Sequence, residues 1–312
     1  MYMLNCLLIF MFLFVGVAFY VLLERKVLGY IQLRSGPSSV GFFGLFQPFS
    51  DAISLFSSES YFIYFGNFFI YYVVPLFGLV LTCCLWLLYP LFENFMSYSL
   101  GLLFFLCCSG LSVYFIMLAG WSSNSIYSLI GSIRSVAQSI SYEVNLFFII
   151  LVFILIVGSL NLIDLYWVQS YCWFILLGFP LFLIFFSCVL AETNRSPFDL
   201  AEGESELVSG FNIEYSSFSF SFIFLSEYLS MMFMSMMVSL IFLGGNYFNM
   251  SFFFSVVFIS FMFVWVRGSF PRFRYDKLMY LSWKCFLPVV INYYLFFMIL
   301  ILFMFFIYFS KS

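Results

Sequence analysis

Six acidic residues, Glu192, Asp199, Glu202, Glu204, Glu206 and Glu214, crowd one stretch of the chain whose single base is Arg195. A merely solvated acidic loop interleaves lysines and does not run at once into an apolar pair such as Leu207-Val208. If the segment from Ala201 to Leu207 is helical, Glu202 and Glu206 share a face and repel one another, and they titrate as a coupled pair. Two further carboxyls, Glu143 and Glu227, stand beside or inside long apolar runs. An ionised carboxylate at a bilayer centre costs about 2.5–3.5 kcal/mol on insertion scales and more in simulation. Such a group is suited to taking up and releasing protons, the alternative being a neutral carboxyl hydrogen-bonded to Ser or Tyr across helices. These eight acids are the candidates for a proton relay.

A different chemistry precedes them. Glu24-Arg25-Lys26, Gln32 and Arg34 are followed by turns at Gly36-Pro37 and Gly41, and then by Phe46-Gln47-Pro48-Phe49-Ser50-Asp51. Phe46, Phe49, Ile53 and Phe56 recur at helical spacing with Gln47, Ser50, Asp51, Ser54 and Ser57 opposite, which predicts a short amphipathic helix over residues 46–57 at a membrane interface. Its polar face holds no Lys or Arg, which favours contact with protein or a bound amphiphile over adhesion to lipid headgroups. No glycine-rich phosphate loop occurs, no His exists to ligate haem, and the cysteines lack iron–sulfur or zinc spacing. The chain is expected to carry no metal and no electron carrier of its own. Its cysteines read as small hydrophobes within apolar runs.

The elements that must position these groups follow from composition. Of 312 residues only 8% are charged and 25% are aromatic, whereas a water-soluble domain carries about 25% charged residues. The fold class is therefore an all-α integral membrane protein, and the near-balance of 11 Lys and Arg against 14 Asp and Glu offers no basic stripe for nucleic acid. Uncharged runs long enough for about 20 helical residues place about eight transmembrane helices near residues 3–23, 64–92, 99–120, 143–163, 167–191, 218–243, 248–266 and 285–308. Pro75 and Pro180 fall inside two of them as candidate kinks. The N-terminus lacks the basic region and cleavage site of a signal peptide and is expected to remain as the first span. Ten of the eleven Lys and Arg fall in the loops joining spans 1–2, 3–4, 5–6 and 7–8, and Lys311 alone lies on the other face. The positive-inside rule puts the basic face in the cytoplasm or, for an organelle product, the matrix.

Five blocks carry a resemblance to a known family: residues 22–41 (LLERKVLGYIQLRSGPSSVG), 47–56 (QPFSDAISLF), 119–144 (AGWSSNSIYSLIGSIRSVAQSISYEV), 190–217 (LAETNRSPFDLAEGESELVSGFNIEYSS) and 265–288 (WVRGSFPRFRYDKLMYLSWKCFLP). Together they cover about a third of the chain, and AETNRSPFDLAEGESELVSGFN is highly specific. The sequence resembles the chain 1 family of the mitochondrial NADH:ubiquinone oxidoreductase, respiratory complex I, in wording similar to arthropod versions. The family usually has Lys where Ser54 stands and commonly Asn where Ser38 stands.

The resemblance implies a multi-pass inner-membrane subunit with both termini on the intermembrane-space side and the charged loops, amphipathic helix included, in the matrix. Its partners would be the other membrane and hydrophilic subunits of the complex and membrane lipid. Its substrate would be ubiquinone, with no group bound covalently and with FMN and iron–sulfur clusters on partner subunits. Span one, the amphipathic helix and span six would form the mouth of the quinone chamber, with Arg25, Gln32, Arg34, Phe49, Asp51, Phe224 and Arg274 along the path. Glu143, Glu192, Asp199, Glu202, Glu204, Glu206, Glu214 and Glu227 would link quinone reduction to proton translocation. The residues alone leave two other readings open: a proton-coupled secondary transporter, which would show inverted repeats, and a structural anchor, which would tolerate replacement of its membrane acids.

Overall fold

A computed structural model describes residues 2–61, 66–89, 98–201, 203, 209–247 and 249–311. Every element among the described residues is helical. In chain order these are α1 (Tyr2–Ile31), α2 (Gln47–Ser57), α3 (Phe68–Trp86), α4 (Gly101–Ser122), α5 (Ile126–Val157), α6 (Leu162–Gln169), α7 (Phe174–Leu177), α8 (Phe179–Glu192), α9 (Ser217–Phe242), α10 (Met250–Ser269), α11 (Tyr275–Tyr280) and α12 (Leu287–Lys311). Among the described residues seven helical stretches are long and apolar enough to cross a bilayer, and α8 is a shorter apolar helix. Such a chain is a multi-pass membrane protein, because hydrocarbon tolerates only backbone whose polar groups are satisfied within the segment.

The core is built around α9, in which every residue from Phe233 to Phe242 is buried. It packs against α3, α10 and α1, while α5 packs against α4, α8 and α12. Without a hydrophobic driving force between helices in lipid, close approach rests on small residues. A Cβ on Gly78 of α3 would lie 2.7 Å from the Phe115 ring of α4. At the periphery Leu7, Met11 and Phe12 of α1 and Phe296, Ile299 and Phe303 of α12 are exposed, as lipid-facing side chains are.

Four boundaries differ from the sequence expectation, and each difference has a local cause. Helix α1 continues past residue 23 to Ile31 because its charged end is paired: Glu24 with Arg267, Arg25 with Asp51, and Lys26 Nζ with the Phe43 carbonyl at 2.8 Å. Helix α5 begins at Ile126 rather than at residue 143, so Glu143 lies within the helix instead of opening it. Its serines make the early start tolerable: Ser132, Ser135 and Ser141 donate to the carbonyls of Leu129, Ser132 and Gln138, leaving no hydroxyl stranded in lipid.

The stretch expected as one span over 167–191 is divided into α6, α7 and α8. Asn161 caps α6, accepting from the Ile163 amide at 3.2 Å. Pro180 kinks nothing: it sits in the first turn of α8, where its missing N–H costs no helical bond. The last span starts at Tyr275 rather than 285. Asp276 occupies its first turn, as the helix dipole favours, and a π-helical turn over Leu281–Phe286 joins α11 to α12. Buried Tyr142 and Asn145 of α5 donate to the Leu278 and Ser282 carbonyls beside this turn, at 3.4 and 3.3 Å.

The expected amphipathic helix is α2. Phe49 meets Phe19 of α1 edge-on at 6.3 Å, and Phe56 lies 5.6 Å from Phe218 of α9. Ser217 Oγ donates to the Ser58 carbonyl at 2.8 Å, tying the end of α2 to the start of α9.

Candidate functional site

Helix α8 ends in a left-handed residue, Asn194 with φ 50°. The Asn194 amide returns to the Ala191 carbonyl at 3.3 Å and the Arg195 amide to the Leu190 carbonyl at 3.2 Å, the paired bonds of a Schellman end. That turn carries Arg195 inward, where it is 6% exposed. Its Nη1 lies 4.0 Å from Glu24 Oε1, its Nη2 3.9 Å from Glu227 Oε2, and its guanidinium carbon 4.6 Å from the centre of the Tyr228 ring. Glu24 also pairs with Arg267 and accepts from the Tyr228 hydroxyl at 2.6 Å. Helices α1, α9 and α10 and the turn after α8 thus converge on two guanidiniums and two carboxylates. Buried charge survives only when compensated in this way.

Next to this cluster lies a cavity of about 60 Å³, bounded by α3, α4, α9 and the end of α8. Glu192 and Glu227 both line it, together with Thr82, Ser109, Asn194 and Ser230. A water needs roughly 10–15 Å³ of such space and two to four polar partners, so the cavity accommodates a short file of waters between the two carboxyls. Glu192 Oε2 and Asn194 Oδ1 are buried without a hydrogen-bond partner among the described residues. The Glu143 carboxyl stands within electrostatic reach of Glu192. It rests against the backbone of α4, where a Cβ on Gly110 would sit 2.8 Å from Glu143 Oε1. The order Glu143, Glu192, cavity, Glu227, Arg195, Glu24 is a series of polar groups through an apolar molecule, Glu24 and Arg195 buried and the other three half-buried. Groups so arranged can exchange protons over short distances.

The remaining sequence candidates are dispersed. Asp199 is buried and paired with Arg272 at 3.2 Å. Glu202, Glu204 and Glu206 lie outside the described residues. The Glu214 carbonyl accepts from Tyr71 at 2.7 Å. Beside it Tyr215 stacks on Tyr71 with ring centres 4.4 Å apart, and burial pushes the Tyr215 phenol well above its ordinary range. Arg25 pairs with Asp51, which also accepts from Gln47 at 2.9 Å. Arg34 donates to Gln32 at 3.0 Å, both residues being exposed. Phe224 packs on Tyr228 at 5.8 Å. Arg274 is solvent-exposed and pairs with Asp276 at 3.1 Å, apart from the Glu24 cluster.

The profile of the NADH dehydrogenase family matches residues 4–307. The chain belongs to that family. It is 56% identical over 297 residues to the NADH-ubiquinone oxidoreductase chain 1 of Locusta migratoria, covering 95% of each chain. The protein of the same name from Aedes aegypti is 56% identical over 295 residues, covering 95% of this chain and 94% of its own. That of Osphranter rufus is 46% identical over 298 residues, with 93% and 94% covered.

In this NADH dehydrogenase family member, sequence reasoning singled out Glu227 but missed its surroundings. Glu24, Tyr228 and Arg267 were not among the candidates, and Arg195 entered only as the lone base among acids. A signal existed for Glu24 and Arg267: each is a charge at the end of an otherwise apolar helix, opposite in sign and on the same face. Desolvation at a helix end favours such partners finding one another. Tyr228 gave no signal, since a tyrosine beside a glutamate in an apolar run is ordinary.

Proposed function

We propose that the chain is a core membrane subunit of the proton-pumping NADH:ubiquinone oxidoreductase of the mitochondrial inner membrane, with both termini facing the intermembrane space. It walls part of the chamber in which ubiquinone is reduced, and its acids within the helices relay protons away from that chamber. Electrons come from NADH through partner subunits that hold FMN and iron–sulfur clusters, and the chain itself contributes positioning and proton transfer. The observation that supports this reading is the series of polar groups from Glu143 to Glu24, whose Glu24 end sits on α1 beside α2 and α9.

The chemistry fits each part. Reducing a quinone to a quinol consumes protons and changes the charge at the headgroup. Arg25, which pairs with Asp51 of α2, and Arg34 can hydrogen-bond quinone oxygens, and Phe49 with Phe224 supplies apolar wall. A charge change near Glu24 is felt by Arg195 and Arg267 at once, because one carboxylate compensates both. Arg195 passes that change to Glu227, and the cavity leads on to Glu192 and Glu143. The redox event thereby shifts the protonation of groups that ubiquinone never touches.

Replacing Glu227 with Gln tests the relay. NADH:ubiquinone turnover is expected to fall by on the order of a hundredfold, the scale of a lost proton-transfer group. NADH oxidation by a hydrophilic artificial acceptor is expected to persist. Unchanged ubiquinone turnover with normal assembly removes the relay, and joint loss of both activities assigns Glu227 to assembly.

A further inference from the structure

Gln138 lies on α5 with no exposed surface. Its Nε2 donates two hydrogen bonds across the molecule, to the Ala191 carbonyl at 2.8 Å and to the Phe198 carbonyl at 2.7 Å. These two carbonyls flank the turn that aims Arg195. The same turn is fastened from another direction. Asp199 pairs with Arg272 at 3.2 Å, the Phe273 amide donates to the Pro197 carbonyl at 3.0 Å, and the Phe198 ring packs between Tyr142 and Phe273.

Two observations separate Gln138 from an ordinary core residue. Its Oε1 is buried without a hydrogen-bond partner among the described residues, a cost of about 1–3 kcal/mol that an apolar side chain of the same shape would avoid. Second, Gln138 stands about one and a half helical turns before Glu143, on the helix that carries the Glu143 end of the polar line. One amide therefore ties the helix bearing Glu143 to the turn bearing Arg195.

We propose that Gln138 is a positioning residue for the proton-coupled step: its amide holds the Arg195 turn against α5, so that the guanidinium keeps its place between Glu24 and Glu227. This rests on the function proposed above. It adds a residue that touches neither quinone nor any relay carboxyl and acts through Arg195. The amide must donate twice, which Glu, Met and Leu cannot do at this position.

The test is Gln138→Met in the intact assembly, with Glu227→Gln made alongside. For Gln138→Met, kcat for reduction of a short-chain ubiquinone is expected to fall about tenfold, with KM, the amount of assembled complex and NADH oxidation by a hydrophilic acceptor unchanged. A filler role would instead lower the amount of assembly and scale both activities together, overturning the proposal. Wild-type kcat in Gln138→Met, with Glu227→Gln impaired, overturns the role of Gln138 alone, whereas wild-type kcat in both variants overturns the relay itself. If Gln138→Met does not assemble, Gln138→Asn, which keeps the donors and shortens the reach, decides the matter. A lowered kcat at normal assembly supports positioning, and wild-type kcat or failed assembly refutes it.

Discussion

At position 24 a single carboxylate compensates two guanidiniums drawn from different parts of the chain, one of them 243 residues away. Removing one partner of a buried ion pair costs about 3–5 kcal/mol, because the other charge is left uncompensated. Glu24→Gln is therefore expected to lower the amount of assembled complex on native gels more than Glu227→Gln does. Equal amounts for the two variants would mean that Glu24 is not the hub of the cluster. Residue chemistry was the part of the site least legible in the sequence. That Glu227 must have polar company could be read from the cost of a carboxyl inside an apolar run, and it stands in the polar line. The partners of Glu227 could not be read, because which helix ends meet is a property of packing. Arg274, expected from the resemblance along the quinone path, is exposed on this chain and pairs with Asp276.

Elements were more legible than their ends. The period of Phe46, Phe49, Ile53 and Phe56 gave α2 to within a residue, because a one-sided helix writes its face into the sequence. Apolar runs gave the long helices, but serines misplaced the start of α5: a polar stretch reads as a loop until its hydroxyls are seen bonding back to their own helix. Two element-level predictions follow from close contacts. In Gly110→Ala the new methyl would lie 2.8 Å from Glu143 Oε1, so the carboxyl must move, and ubiquinone turnover is expected to drop severalfold with assembly intact. A variant with unchanged turnover would show that the place of Glu143 is not critical. At Asn194, whose left-handed backbone costs an L residue about 1–2 kcal/mol, Asn194→Gly should retain the turn. Asn194→Val should lose it, together with the turnover that depends on Arg195, as a parallel assay of the two variants would report.

On the scale of the whole molecule, the chain is a buried helix, α9, wrapped by helices that shed their apolar side chains into lipid. A hydrophobic carbene reagent in the bilayer is expected to label Phe296, Ile299 and Phe303 of α12 wherever no neighbouring subunit covers them, and to spare the segment from Phe233 to Phe242. Labelling at Met236 or Met237 would contradict the central place of α9. The class of molecule was fully legible, since scarcity of charge admits no other solvent. The helix order around α9 was not, because in hydrocarbon every apolar surface satisfies every other and only glycines and shape choose neighbours. The π-helical turn over Leu281–Phe286 bears on that choice in a way that contacts do not display. It holds one residue more than an α-helical path would need, and each residue turns a helix by about 100°. Deleting one residue there would close the wide turn into an α-helical one and keep the faces of the last span in place, whereas the same deletion inside α12 would rotate everything after it by that angle. In that second case the faces shown to α5 and to lipid would be exchanged for others without a single substitution.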